Sequence, residues 1–450
     1  MSTLRRVLGY RTATSTSAGL AFAAINFLAA VQVAGYMLGD GAWIALVIAG
    51  VLCLLSAANF SELNGVLPSA AGIRVWTRQG IGDRFSLTFT LVYLTTILAV
   101  IAADSFVLGT AIQAAIPGVS GFFWICAFLL LTLVANLRGV KVAGLVQDLT
   151  TYLLLLSLAV ISIMVLVHVH HAFITPFSPR GNLFEAVAVG VFIFVGFEWV
   201  TPLAEEMADT KAISRGMFTA LGLIAIAFGL FMLAMTHLLG DRALGSSLVP
   251  QLLVGRAAFG DFGFWWMLLV TVITAGTTFN GSFVSASRLL YAMARERTLP
   301  PWFGRLNQRF VPSNALFALF SISVVLAALV YLSRLYQVLI YAGSSLEAIM
   351  YVVAALAVLG LKRRLPDAAR AFRLPFGKVI PWVSIPVFGV LALGAVTATA
   401  GLPGNFPWTV PLLFAVAVVA TLYVTFYAPR LKQQRPQAGG QGSAPEPERP

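Results

Sequence analysis

Residues 190–202 read GVFIFVGFEWVTP, and this stretch decides how the chain is to be read. An acid, Glu198, stands in the middle of an apolar run of membrane-spanning length. Gly190, Gly196 and Pro202 flank it. Glycine lowers helix propensity and proline removes a backbone donor, so a helix here is weakened on both sides of the carboxyl. An ionisable group at membrane depth is costly, and a broken helix is tolerated there only where it lines protein or a watery cavity. Freed carbonyls at such a break suit an ammonium, and a half-helix N-terminus suits a carboxylate. The competing reading is a proline-kinked helix with a buried, hydrogen-bonded glutamate.

The rest of the chain supports the membrane setting. Of 450 residues, 59% are apolar and 10% are charged, against about 45–50% and about 25% in a soluble globular protein. That composition excludes a soluble enzyme, a nucleic-acid-binding module and a disordered scaffold. Apolar runs lie near 16–38, 42–65, 85–116, 120–137, 144–169, 184–206, 214–239, 262–296, 313–331, 336–361, 379–400 and 407–428. These predict an all-α polytopic membrane protein with twelve transmembrane helices, because backbone in lipid must satisfy its own hydrogen bonds. The third and eighth runs exceed a ~30 Å hydrocarbon layer and are expected to tilt or protrude.

The net charge of +12 is read as topology. With the N-terminus inside, 24 of the 29 cations fall on cytoplasmic segments and four (Arg180, Arg242, Arg256 and Arg334) on outer ones. This bias supports cytoplasmic termini and a multi-pass protein of the plasma membrane. Residues 1–15 are the cytoplasmic N-terminal segment, with no cleavable leader expected, 16–428 the twelve-helix domain, and 429–450 a disordered tail rich in Pro, Gly and Gln. Cys53 and Cys126 lie in apolar runs and suggest no disulfide.

The remaining intramembrane polar groups are candidates of the same kind. Asp104 is placed in helix 3, Glu347 in helix 10, Glu62 at the inner end of helix 2 and Arg288 toward the inner end of helix 8. Asp104 suits an amine partner, a proton carrier or a gate, with a hydroxyl-capped structural acid as the competing reading. Glu347 has the same alternatives, while Glu62 suits a gate or a structural tie. Asn26 and Gln32 are the strongly polar side chains of helix 1, fitting either substrate contact or interhelical hydrogen bonding. His168, His170 and His171 at the end of helix 5 are read as interfacial, so no metal and no cofactor are expected. A phosphate-loop GxxxxGK[ST], an HExxH and a GxSxG are absent from the sequence, which argues against ATP-driven transport and against a membrane-embedded enzyme.

Three stretches carry a resemblance. AMARERTLPPWFGRLN (292–307), with Asn280-Gly281 and Ser287-Arg288 before it and Val311-Pro312 after it, is similar to the helix 8 end of the amino acid–polyamine–organocation superfamily of secondary transporters. FVGFEWVTPLAEE (194–206) looks like that family's broken helix 6, and FSELNGVLPSAAG (60–72) resembles its segment after helix 2. The resemblance implies a five-plus-five inverted repeat (about 16–170 and 184–361) with helices 1 and 6 discontinuous, plus two further helices over 379–428. Substrate would lie between helices 1 and 6, bordered by Asp104, Glu198, Asn280 and Glu347.

The expected function is secondary active transport of amino acids or related small amines by alternating access, coupled to protons. The alternatives are a polyamine or organic-amine importer and an amino acid exchanger without ion coupling, followed by a sodium symporter, a non-transporting sensor and a channel. The substrate contacts would be Asn26, Phe194, Gly196, Phe197, Glu198 and Asn280. Proton carriers would be Asp104 or Glu347, and Glu62, Glu205, Glu206 and Arg288 would form the cytoplasmic gate or its supports. The partners are the solute, protons and lipid, with no nucleic acid. Two departures from the family stand out. The helix 1 break, placed near residues 25–28, has no Gly-x-Gly to hold a carboxylate. The helix 5 position where many relatives carry a lysine corresponds to Leu154.

Overall fold

The computed structural model describes residues 6–31, 38, 41–168, 182–209, 211–239, 241–399 and 402–433. Gln32, His170, His171 and the tail beyond Gln433 lie outside them. Every named element is helical: α1 (Tyr10–Ala21), α2 (Ile25–Val31), α3 (Ala42–Val66), α4 (Gly72–Gly80), α5 (Asp83–Ala115), α6 (Gly121–Leu137), α7 (Val140–His168) and α8 (Leu183–Gly190). There follow α9 (Lys211–Leu238), α10 (Asp241–Ser246), α11 (Pro250–Arg295), α12 (Ser313–Ser333), α13 (Tyr336–Arg364), α14 (Val379–Thr397), α15 (Thr409–Leu422) and α16 (Ala428–Gln433).

Ten spans among the described residues are long and apolar enough to cross a membrane, and eleven if α1 and α2, bent by 54°, form one. The apolar α6 has 17 residues and is shorter than the rest. The expected run 262–296 is the second part of α11, which bends at Phe259 and Gly260, where Gly260 adopts φ 62°. The last helix continues to Gln433, so the expected tail does not begin at 429.

Burial sorts the helices. In the most apolar window of each, 83% of the Leu183–Leu203 span and 72% of α5 and of α13 are buried, against 11% of the last span. The first three therefore form the middle of the bundle. The apolar faces of α15 (Phe414 and Val419 among them) are exposed, as a lipid-facing helix requires.

Two of the spans are interrupted. Between α1 and α2 the chain leaves helical geometry at Phe22 (φ −87°, ψ 63°). The break thus falls at residues 22–24, three residues before the expected slot, and residues 25–28 begin the second half-helix. After α8 the backbone tightens into a 3₁₀ turn over Val191–Phe194, opens at Val195 (ψ 126°), and passes through Gly196 at φ 108° before a second 3₁₀ turn, Phe197–Leu203, containing Pro202. Gly196 is required here. Its φ is left-handed, and a Cβ would lie 3.1 Å from the Leu20 carbonyl carbon, so the two breaks touch backbone to backbone.

Candidate functional site

The interrupted segments are cross-tied by polar groups. Asn26 Nδ2 donates to Ala21 O at 2.7 Å and to Ile193 O at 3.1 Å, which satisfies one freed carbonyl from each break. Ser17 Oγ donates to Phe197 O at 2.6 Å. Asp104, fully buried on α5, accepts from Ile25 N at 2.8 Å and also from the Ala24 amide. It therefore caps the start of α2, where the sequence supplies no Ser, Thr, Asp or Asn at the N-cap.

Below these ties lies an acidic cluster. The Tyr93 hydroxyl of α5 donates to Glu198 and stands 3.3 and 3.5 Å from the two oxygens of Glu347 on α13. The Glu198 and Glu347 carboxyls are within hydrogen-bonding reach of one another. Glu198 is 2% exposed and Glu347 0%, and among the described residues neither forms an ion pair. Glu198 Oε2 and the Trp199 indole N–H are buried and make no hydrogen bond of normal geometry. Aromatic rings wall the cluster. Trp199 stacks on Tyr93 with centroids 4.9 Å apart, and Phe60 meets Trp76, Phe197 and Tyr351 at 6.1 Å each. A cavity of about 10 Å³ remains between Phe60, Tyr93, Glu198, Trp199 and Leu289, about enough for one water.

The other expected site residues fall elsewhere. Asn280 is saturated in a separate network, accepting from Asn136 Nδ2 (2.9 Å) and donating to Gln147 Oε1 (2.8 Å) and Ala143 O (3.0 Å). Phe194 packs against Gly50 of α3. Leu154 is buried, while the polar groups of α7 that reach α1 include Gln147 and Thr151, both to Ser15 O, Asp148, which accepts from Ser15 and Thr12, and Tyr152, which donates to Arg11 O at 3.2 Å.

The basic end of the bundle is tied together by ion pairs. Glu62 receives Arg370 Nε at 3.0 Å, Lys362 Nζ at 3.2 Å and the Leu374 amide at 3.0 Å. Glu205 holds Arg295 at 2.8 Å and the Ala70 amide at 3.0 Å. Glu206 pairs with Arg288 at 3.1 Å, and its backbone carbonyl accepts from Val7 N and Leu8 N. Among the described residues no group of three His, Cys, Asp or Glu could hold a metal ion.

Tyr93, Gln147 and Asp148 were not singled out from the sequence. A tyrosine within a run such as LVYLTTIL carries no local signal. Its meaning comes only from partners 105 and 254 residues away.

The profile of the amino acid permease family matches residues 8–437. The chain belongs to this family. The permease is 26% identical over 385 residues to the branched-chain amino acid permease BcaP of Bacillus subtilis, covering 80% of this chain and 82% of that one. It is equally 26% identical to the human large neutral amino acids transporter small subunit 2, over 396 residues, covering 81% and 73%. In fold it resembles a manganese transporter from Eremococcus coleocola, with TM-score 0.59 and 11% identity over 96% of this chain and 98% of the other. It also resembles a Na⁺-coupled sialic acid symporter, with TM-score 0.55 and 14% identity over 87% and 90%. The permease is thus a multi-pass membrane transporter and not an enzyme.

Proposed function

We propose that this permease moves amino-bearing organic solutes across the plasma membrane by alternating access, coupled to protons, with its basic end and both termini in the cytoplasm. On this reading α6 counts as a span, giving twelve. The interrupted α1–α2 and Leu183–Leu203 spans occupy equivalent places in an inverted repeat. The names of the relatives, which specify branched-chain and large neutral amino acids, support an amino-bearing solute.

The observation that carries the reading is the Glu198–Tyr93–Glu347 cluster beside the Gly196 break. Two carboxylates in a dry, aromatic-walled site repel when both are ionised. A proton shared between them relieves that repulsion, and so does an ammonium. Tyr93 and Trp199 add attraction for a cation through their ring faces. The solute's ammonium and the proton therefore compete for one site, which is the elementary requirement for coupling their fluxes. Asp104, engaged with the amides of α2, is left a positioning role, and Glu347 takes that of proton carrier.

The test is uptake by purified protein in liposomes, using labelled amino acids and amines under separately imposed proton and sodium gradients. Glu198→Gln, correctly folded, should lower uptake by about tenfold or more, the loss of a charged hydrogen-bonded contact. Unchanged affinity and maximal rate would sink the assignment.

A further inference from the structure

A half-helix N-terminus at membrane depth is the usual seat for a solute carboxylate, because its amides are unsatisfied and its dipole is positive. In this chain that seat is filled from within. Ile25 N and the Ala24 amide are given to Asp104, whose Oδ1 lies 2.8 Å from Ile25 N. The Asp104 side chain is fully buried. Its second oxygen, Oδ2, receives no hydrogen bond of normal geometry. The neighbouring Thr278 hydroxyl, which lies 3.2 Å from Thr274 O, is also within hydrogen-bonding reach of the Asp104 carboxyl.

A short relay of contacts joins Asp104 to the acidic pair. Asp104 holds the Ile25 amide, and Asn26, the next residue, bridges Ala21 O and Ile193 O. Leu20 and Ala21 abut Gly196, two residues from Glu198. Three buried carboxyls thus border the two breaks. Among the described residues no Lys or Arg pairs with any of them, since the buried Arg288 is committed to Glu206 and the buried Arg74 to Asp83 and Glu296. The Glu198 cavity is lined by aromatic and aliphatic side chains with Glu198, Thr201 and no cation. A further carboxylate would enter this region without a counter-charge and with the Ile25 and Ala24 amides already taken.

We propose that Asp104 is a specificity-determining residue: it occupies the helix-break amides that a solute carboxylate would need, so the central site takes an amine that bears no carboxylate. This rests on the transport reading above and narrows its substrate class. It separates this chain from the relatives whose names specify amino acids. The ammonium goes to Glu198, whose Oε2 is buried and makes no hydrogen bond of normal geometry, and the carbon skeleton goes to the aromatic wall.

The experiment compares solutes that differ only in the carboxylate: 3-methylbutylamine against leucine, and 1,5-diaminopentane against lysine. Labelled amine uptake into liposomes carrying the intact protein is measured with each member of a pair as competitor. The wild type should bind each amine at least about tenfold more tightly than its amino acid, since like-charge juxtaposition costs several kcal/mol. Asp104→Ala, which vacates the Ile25 and Ala24 amides and removes the charge, should shrink that ratio to about threefold or less. The wild-type comparison stands alone should the variant fail to fold. Leucine or lysine binding as tightly as its amine overturns the inference and leaves the transport reading intact, as does an unchanged ratio in a folded Asp104→Ala protein. Uptake of no amine and no amino acid overturns both.

Discussion

Glu206 and Arg288 offer a quantitative test of how a buried ion pair ties the basic end of the bundle together. Arg288 Nε lies 3.1 Å from Glu206 Oε2, and both side chains are 1% exposed. At that distance two unit charges attract by about 5 kcal/mol at an effective dielectric of about 20. Removing both ions from water offsets much of this gain, so the pair as a whole contributes little. Removing one member is another matter, because the survivor is left buried and uncompensated at a cost of about 3–5 kcal/mol. Glu206→Gln and Arg288→Met should therefore each destabilise the folded protein by about 3 kcal/mol or more, and the double variant should lose no more than either alone. The Arg288 loss also frees Ser287 Oγ, which receives Arg288 Nη1 at 2.9 Å, a smaller effect in the same direction. Equilibrium unfolding in mixed detergent micelles, followed by tryptophan fluorescence, measures all three. Single losses below about 1 kcal/mol would mean a solvated pair, and a double loss equal to the sum of the singles would mean no coupling. Either result refutes the reasoning.

Two further outcomes follow from the site. Gly196→Ala places a Cβ 3.1 Å from the Leu20 carbonyl carbon on a backbone at φ 108°. The left-handed strain alone costs about 1–2 kcal/mol, so this variant should melt at a lower temperature and transport poorly. Wild-type melting and uptake would show that the two breaks do not meet there. Tyr93→Phe deletes the hydroxyl between Glu198 and Glu347 while keeping the ring on Trp199. A hydrogen bond to a charged group is worth about 1.5–3 kcal/mol, so solute affinity should change by about tenfold or more at undiminished expression, and an unaltered saturation curve would remove Tyr93 from the site.

The sequence made the spans legible because lipid imposes one rule on every buried backbone group, and most apolar runs met the observed helices to within a few residues, the exceptions being 16–38, whose first helix starts at Tyr10, and 262–296, which is the second part of a helix that starts at Pro250. The break after Phe194 was legible for a local reason: Gly196 and Pro202 weaken the helix in place. The break at residues 22–24 was displaced in the reading because the stretch FAA contains no helix breaker. What interrupts it is a carboxyl arriving from α5, and what splices it is Asn26, neither of which is visible in local propensity. The same holds for the acidic pair. Glu198 and Glu347 could each be flagged as costly intramembrane charges, but their meeting over Tyr93 depends on the relative rotation of three helices. Asn280 shows the converse, since it lies on an expected helix yet its side chain is spent on Asn136, Gln147 and Ala143.

The amide of Asn26 has a mechanical consequence. If the two breaks serve as the hinges of the proposed movement, Asn26, by clasping one freed carbonyl from each interrupted span, acts as a rivet through both. Neither hinge can flex far without either dragging its counterpart or stranding a carbonyl in a place without water. On the proposed alternating-access reading, opening a passage toward one face of the bilayer is thereby made a joint movement of the two spans.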